Sequence, residues 1–71
     1  MERRANWLYS NPLCVHCQER GETRMADEVD HRIPLWAGGR DDESNYQSLC
    51  KADHAAKTAA EAGQRSALGL G

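Results

Sequence analysis

Phenylalanine is missing from this chain of 71 residues, and tryptophan and tyrosine contribute only two residues each. With 39% hydrophobic against 28% charged side chains and a mean hydropathy of -0.82, apolar material for a core is scarce. A chain this short buries only about 60% of its unfolded surface, so it needs a staple. It is also too short for two domains, which run to roughly 100–150 residues each. One domain over residues 1–71 is expected, with its core at 7–65. Cysteine is sparse and odd in number: Cys14, Cys17 and Cys50 cannot all pair, which excludes a complete disulfide scaffold. No apolar run resembles a signal peptide or a membrane span. These absences predict a metal-stapled domain in a reducing cytoplasm, with no membrane partner.

An excess of positive charge is missing too. Nine Lys and Arg against eleven Asp and Glu give a formal net charge of -2, not the footprint of a strong nucleic-acid binder. The acidic surplus lies in the second half, whereas Arg3, Arg4, Arg20, Arg24, Arg32 and Arg40 balance the acids of the first. Thiolates and divalent ions would shift this balance, so the bare charge misdescribes a metal-loaded protein.

Between residues 2 and 9, Ala5, Leu8 and Tyr9 recur at helical spacing beside Trp7. Asn11-Pro12 ends that helix, since the residue before a proline is disfavoured in helical geometry. Cys14-Val15-His16-Cys17 is too tight for ordinary secondary structure and has the length of a zinc knuckle, with a charged turn at 19–22 after it. Residues 23–33 alternate loosely and predict a strand with Asp30-His31 near its end. Pro34, Gly38-Gly39 and the polar stretch 40–44 read as a loop, in which Asp41-Asp42-Glu43 is expected to be solvated. A second strand follows at 46–49. From Lys51 to about Arg65 nearly every residue favours helix, with Asp53 near its positive end. Residues 66–71 lack capping logic and are expected to fray. The elements sum to a small α+β class.

Two constellations carry chemistry. Cys14 and Cys17 at a two-residue gap, with Cys50 at the start of a helix, form the split ligand pattern of a structural zinc site. Where a second C-x-x-C would end stands Asp53, readable as a fourth ligand through oxygen or as a helix cap. His16, inside the knuckle, reads as exposed rather than ligating. The second constellation is Asp30-His31, Asn45 and His54, each ordinary alone but informative together with the cysteines. Trp7 and Trp36 are expected to pack in the core.

With "NPLCVHC", "VDHRIPLWAGG", "SNYQSLC" and "DHAAKTAAE", residues 7–61 resemble the HNH endonuclease family, the ββα-metal or His-Me finger nucleases, in the zinc-bearing variety of small phage and bacterial proteins. Asp53 departs from that variety, which usually has cysteine just before the final histidine. The resemblance implies a ββα-metal domain with an N-terminal helix and a structural zinc knuckle. It implies a nuclease that hydrolyses DNA phosphodiester bonds with little sequence preference. His31 suits deprotonation of the attacking water, since imidazole is a competent base near neutral pH. Asp30 and His54 suit one Mg²⁺ or Mn²⁺ ion. Asn45 is implied to hold the loop and the His31 ring by hydrogen bonds. His54, Lys57, Thr58 and Glu61 share a helix face. Lys57, Arg32 and Arg40 are phosphate contacts or solvated charges, and Glu61 reads as a salt-bridging or solvated residue. DNA is the implied partner, and a larger DNA-processing protein beside it suits the weak charge balance. The competing reading is a non-catalytic zinc-knuckle module that binds nucleic acid or protein; a C-x-x-C redox protein would need a βαβ pattern that is not there.

Overall fold

A computed structural model describes residues 3–69. Helix α1 (Arg3–Ser10) is followed by α2 (Val15–Glu19), strand β1 (Glu28–His31), strand β2 (Tyr46–Leu49) and α3 (Lys51–Ala67). Between the strands, single 3-10 turns occupy Leu35–Ala37 and Glu43–Asn45. The strands form one antiparallel pair in the register Glu28↔Leu49, Val29↔Ser48, Asp30↔Gln47 and His31↔Tyr46.

Two expectations change. The Cys14–Cys17 segment is not free of secondary structure: Cys14 stands at the N-terminus of α2, and Cys17 lies within it. The knuckle is closed by backbone pairing instead, through the Leu13↔Met25 bridge, Cys14 N–H donating to Arg24 O and Ala26 N–H to Pro12 O. The second change is at the far end of the chain. Ser66 and Ala67 continue α3, and Leu68 N–H donates to Gln64 O while Gly69, at φ +76, donates to Ser66 O. A glycine in the left-handed region is a standard helix terminator, so α3 runs past Arg65 to a defined turn at Gly69. Leu70 and Gly71 lie outside the described residues.

The start of α3 is capped from a distance. Asp27, just before β1, accepts the Lys51 N–H at 3.1 Å, and no side-chain cap comes from Cys50 at the N-cap itself. Such a contact typically contributes about 1 kcal/mol and here also locks helix to sheet.

The core is small and unusual in make-up. Its buried cluster is Cys14, Cys17, Leu49 and Cys50, with Val15 and Ala26 packed against it. Most of the hydrophobic centre is thus thiol. On the other side of the sheet Tyr46 is buried, with Trp7 of α1 edge-on at 5.8 Å and Arg3 over its ring. Trp7 and Trp36 are both only half-buried, a weaker packing role than expected. On α3, the half-buried residues are Asp53, His54, Lys57 and Glu61, and the others described are exposed. A helix normally docks through an apolar stripe. α3 docks through a polar one, and that places its chemistry against the sheet.

Candidate functional site

Successive strand residues point to opposite faces, so Asp30 and His31 at the end of β1 look in different directions. Asp30 faces α3. Its Oδ1 lies 3.8 Å from His54 Nε2, too far for a hydrogen bond. That span is less than two Mg–ligand bonds of about 2.0–2.1 Å, so these two atoms fit one shared divalent cation. The other oxygen is already engaged: Asp30 Oδ2 accepts from Lys57 Nζ at 2.8 Å and from Gln47 Nε2 at 3.4 Å.

Lys57 therefore does neither of the two things anticipated. Its side chain is 14% exposed, and its three protons go to Asp30, to the His31 carbonyl oxygen at 2.8 Å and to Glu61. Burial works against the ammonium, but the hydrogen bonds to Asp30 and Glu61 outweigh it and raise its pKa. A lysine so committed holds the Asp30 carboxylate. Thr58, on the anticipated shared face, is exposed.

His31 lies on the opposite face, its ring edge-on to Tyr46 at 5.6 Å. Its Nε2 is 2.9 Å from Asp41 Oδ1. The hydrogen bond to His31, helped by Arg3, holds the Asp41 carboxyl below its ordinary value. The Asp41-Asp42-Glu43 stretch is thus not merely solvated. Asp42 accepts from the Ser44 backbone N–H at 3.0 Å and from Arg40 Nε at 2.7 Å, which caps the second 3-10 turn and draws Arg40 into the loop. Arg32 is exposed. Asp41 escaped the sequence reading because ten residues separate it from His31, and no local pattern marks a loop that folds back.

Asn45 explains the folding back. Buried at 6% exposure, it accepts the Ile33 N–H through Oδ1 at 3.0 Å and donates through Nδ2 to Ile33 O at 2.8 Å and Arg40 O at 2.9 Å. It cinches the loop at both ends, as implied, but the contact to the His31 ring is not among its hydrogen bonds. Gly39 packs so closely under this clasp that a Cβ there would collide with the Ile33 carbonyl and the Asn45 amide.

The second cluster joins α2 to α3. Asp53 Oδ2 lies 3.2 Å from each of Cys14 Sγ, Cys17 Sγ and Cys50 Sγ, and Cys17 and Cys50 sulfurs are 3.9 Å apart. All four donor atoms fall within 4.8 Å of one another. Tetrahedral zinc with bonds of about 2.3 Å to sulfur and 2.0–2.2 Å to oxygen needs edges of about 3.8 Å and 3.5 Å. The donor set fits zinc, and Asp53 points into it rather than capping the helix. Half-buried His16 stands outside the cluster. Arg20 makes a bidentate pair with Asp53, which carries that carboxyl well below the usual range, with the three thiols adding to the effect. Burial, then the Asp53 carboxylate, pushes the Cys17 thiol up to about 12. Sequence reasoning saw Arg20 only as part of a charged turn.

A family model described as HNH endonuclease matches residues 14–60, which contain both clusters. The HNH endonuclease of the deep-sea thermophilic bacteriophage GVE2, whose crystal structure contains a manganese ion, superposes with a TM-score of 0.70 and 40% sequence identity. The match covers 86% of this chain and 70% of that one. No curated protein sequence matches the chain. Matched over well more than half its length by the family model, and sharing fold and sequence with a phage nuclease, the chain is a member of the HNH endonuclease family.

Proposed function

We propose that this nuclease hydrolyses DNA phosphodiester bonds with a divalent cation held by Asp30 and His54, and that His31 is its general base. The observation that carries the reading is the 3.8 Å approach of Asp30 Oδ1 to His54 Nε2, across β1 and α3, at the strand end that also carries His31. The manganese ion in the phage endonuclease supports Mn²⁺ or Mg²⁺ there.

Hydrolysis needs a water stripped of a proton and a P–O bond opened in line with its attack. His31 takes the proton from water as its oxygen bonds to phosphorus, the P–O bond opposite breaks, the departing sugar oxygen takes a proton from solvent, and His31 returns its own proton to solvent. Asp30 is oriented by Lys57 and Gln47, which occupy Oδ2 and leave Oδ1 toward His54. Asn45 keeps the loop over the strand end, and with it the position of His31 relative to Asp41. The cation, when bound, supplies positive charge to the phosphate oxygens as the P–O bond breaks.

We assign zinc to Cys14, Cys17, Cys50 and Asp53 as a structural ion. Soft thiolates favour zinc over Mg²⁺ or Mn²⁺, which prefer oxygen ligands. The two sites therefore divide the metals by donor chemistry.

Phosphate contacts dominate DNA binding in this reading, because the positive side chains near the site are few and several are internally paired. Affinity is low and falls further as salt rises, with a shallow slope that reflects only a few phosphate contacts, and sequence preference is slight. A larger DNA-handling partner would supply the missing affinity, and a reducing cytoplasm suits the zinc thiolates. The decisive experiment incubates the purified chain with supercoiled plasmid, with and without Mg²⁺ or Mn²⁺. Nicking only with the cation is the expected result; no nicking under any condition would leave a zinc-stapled binding module.

A further inference from the structure

The turn after α2 presents an arginine whose donors all converge on the thiol cluster or brace it. Arg20 Nη1 donates to Asp53 Oδ1 at 3.1 Å, and Nη2 donates to Asp53 Oδ2 at 3.0 Å and to Cys17 Sγ at 3.2 Å. Nε donates to Glu22 at 3.1 Å, so the guanidinium is held from behind. Its position follows from the local chain: Arg20 closes α2 three residues after Cys17, and Gly21, at φ +80, turns the backbone so that Glu22 returns to brace it.

Aspartate in a thiolate site has two problems that cysteine lacks. A carboxylate offers two oxygens and rotates between one-oxygen and two-oxygen ligation, whereas a thiolate offers one atom. Carboxylate oxygen is also a harder donor than sulfur, so geometry must compensate for what softness does not provide. In addition, a divalent ion on three thiolates and one carboxylate leaves excess negative charge in a site where the sulfurs are buried.

We infer that Arg20 is a positioning residue for this cluster: its fork fixes Asp53 so that Oδ2 alone faces the three sulfurs, and its charge offsets the excess negative charge. The inference rests on the zinc assignment above. The planar guanidinium matches the two carboxylate oxygens in a way that an ammonium does not, so charge and shape are separable. With the Asp53 side chain 13% exposed and bonded to Arg20 through both oxygens, the carboxylate is aimed before any ion arrives. Arg20 and Asp53 then act as one unit, and the arginine is needed because the fourth position is not cysteine.

The test is a coupling experiment on the full chain. Zinc affinity is measured by equilibrium competition with a chromophoric chelator for the wild type, Arg20→Ala, Arg20→Lys, Asp53→Cys and the Arg20→Ala/Asp53→Cys double variant. Arg20→Ala is expected to weaken zinc binding by roughly 10–100-fold, the usual cost of losing a residue that orients a ligand. Arg20→Lys should recover only a minor part of it. In the Asp53→Cys background, Arg20→Ala should matter by less than about threefold. Co²⁺ absorption in the visible range should change with Arg20→Ala when Asp53 is present but not in the Asp53→Cys background. Equal losses in both backgrounds, or unfolding in both, would give Arg20 a structural role independent of Asp53 and overturn the inference. Unchanged affinity in Arg20→Ala would overturn it as well. A wild-type chain that takes up no zinc would instead bring down the zinc assignment itself, which elemental analysis of the purified protein reports separately.

Discussion

His31 Nε2 and Asp41 Oδ1 stand 2.9 Å apart, joining the imidazole at the end of β1 to the loop that Asn45 clasps. A carboxylate accepting the Nε2 proton selects the tautomer whose lone pair is on Nδ1. In the proposed reaction the pair would present one defined ring nitrogen to water.

Asp41→Asn removes that selection, because an amide can donate to the ring as well as accept from it. Cleavage by this variant should fall roughly tenfold to a hundredfold with fold and zinc content unchanged, less than in a fully buried triad because Asp41 is half-exposed. Plasmid-nicking rates measured across pH check this. A rate equal to wild type would reduce the pair to a surface contact.

His31→Ala and the two cation-ligand variants should separate by their response to metal. His31→Ala is expected to abolish nicking at every Mn²⁺ concentration. Asp30→Ala and His54→Ala should weaken cation binding, so that higher Mn²⁺ partly restores their activity. Calorimetric titration showing unchanged Mn²⁺ affinity in both would remove Asp30 and His54 from the ligand set.

Lys57→Gln tests the orienting contact. The variant keeps N–H donors toward Asp30 but gives up the charge and one of the three protons, which leaves Asp30 and Glu61 without the cation they share. Apparent Mn²⁺ affinity should fall while the salt dependence of DNA binding stays the same, since the three Lys57 protons are engaged within the protein. A shallower salt slope, read by fluorescence anisotropy, would return Lys57 to the DNA surface.

Tyr46→Phe should leave stability unchanged or raise it slightly. The Tyr46 hydroxyl is buried without a hydrogen-bond partner among the described residues, and removing an unsatisfied buried polar group avoids a desolvation cost of about 1–3 kcal/mol. Urea unfolding midpoints decide; a loss beyond about 1 kcal/mol would mean that the hydroxyl has a partner in solution.

Acid and chelator should unfold the chain together. Zinc ligands bind deprotonated, and the Cys17 thiol is pushed up to about 12, so zinc binding must displace its proton to solvent. Zinc retention should therefore fall as pH falls. A smaller effect has the same sign: Asp41 and Asp42, held below their ordinary values by His31 and by Ser44 with Arg40, stabilise the fold above the unfolded carboxyl range, and that contribution disappears as pH drops through their folded values. Circular dichroism with and without chelator from pH 8 to pH 3 follows both; a chelated chain as stable as the loaded one would contradict a metal-built core.

Much of the fold was legible because it is written locally. Tyr46–Leu49 is a short stretch between the polar loop and a helix, and the helix formers from Lys51 onward need no partner to be recognised. The departures have a common cause. The cap of α3 is Asp27, far away in sequence, and the helix inside the cysteine knuckle is held by backbone pairing across Leu13 and Met25. Neither leaves a mark on its own segment.

The chain by itself determined the chemical inventory: three thiols and a carboxylate suited to zinc, and an Asp-His pair with a distant Asn and His, because ligand and base chemistry reside in residue type and spacing. Tertiary structure alone decided how charges are used. Lys57, Arg20 and Asp41 look alike in sequence, each a charged residue in a polar stretch. Folding puts the first under Asp30, the second on Asp53 and the third against His31. The physical reason is that a side-chain charge pairs with whichever opposite group the fold brings within reach, and only the packed chain specifies which group that is; for Lys57, 14% exposed, burial also removes the competing water.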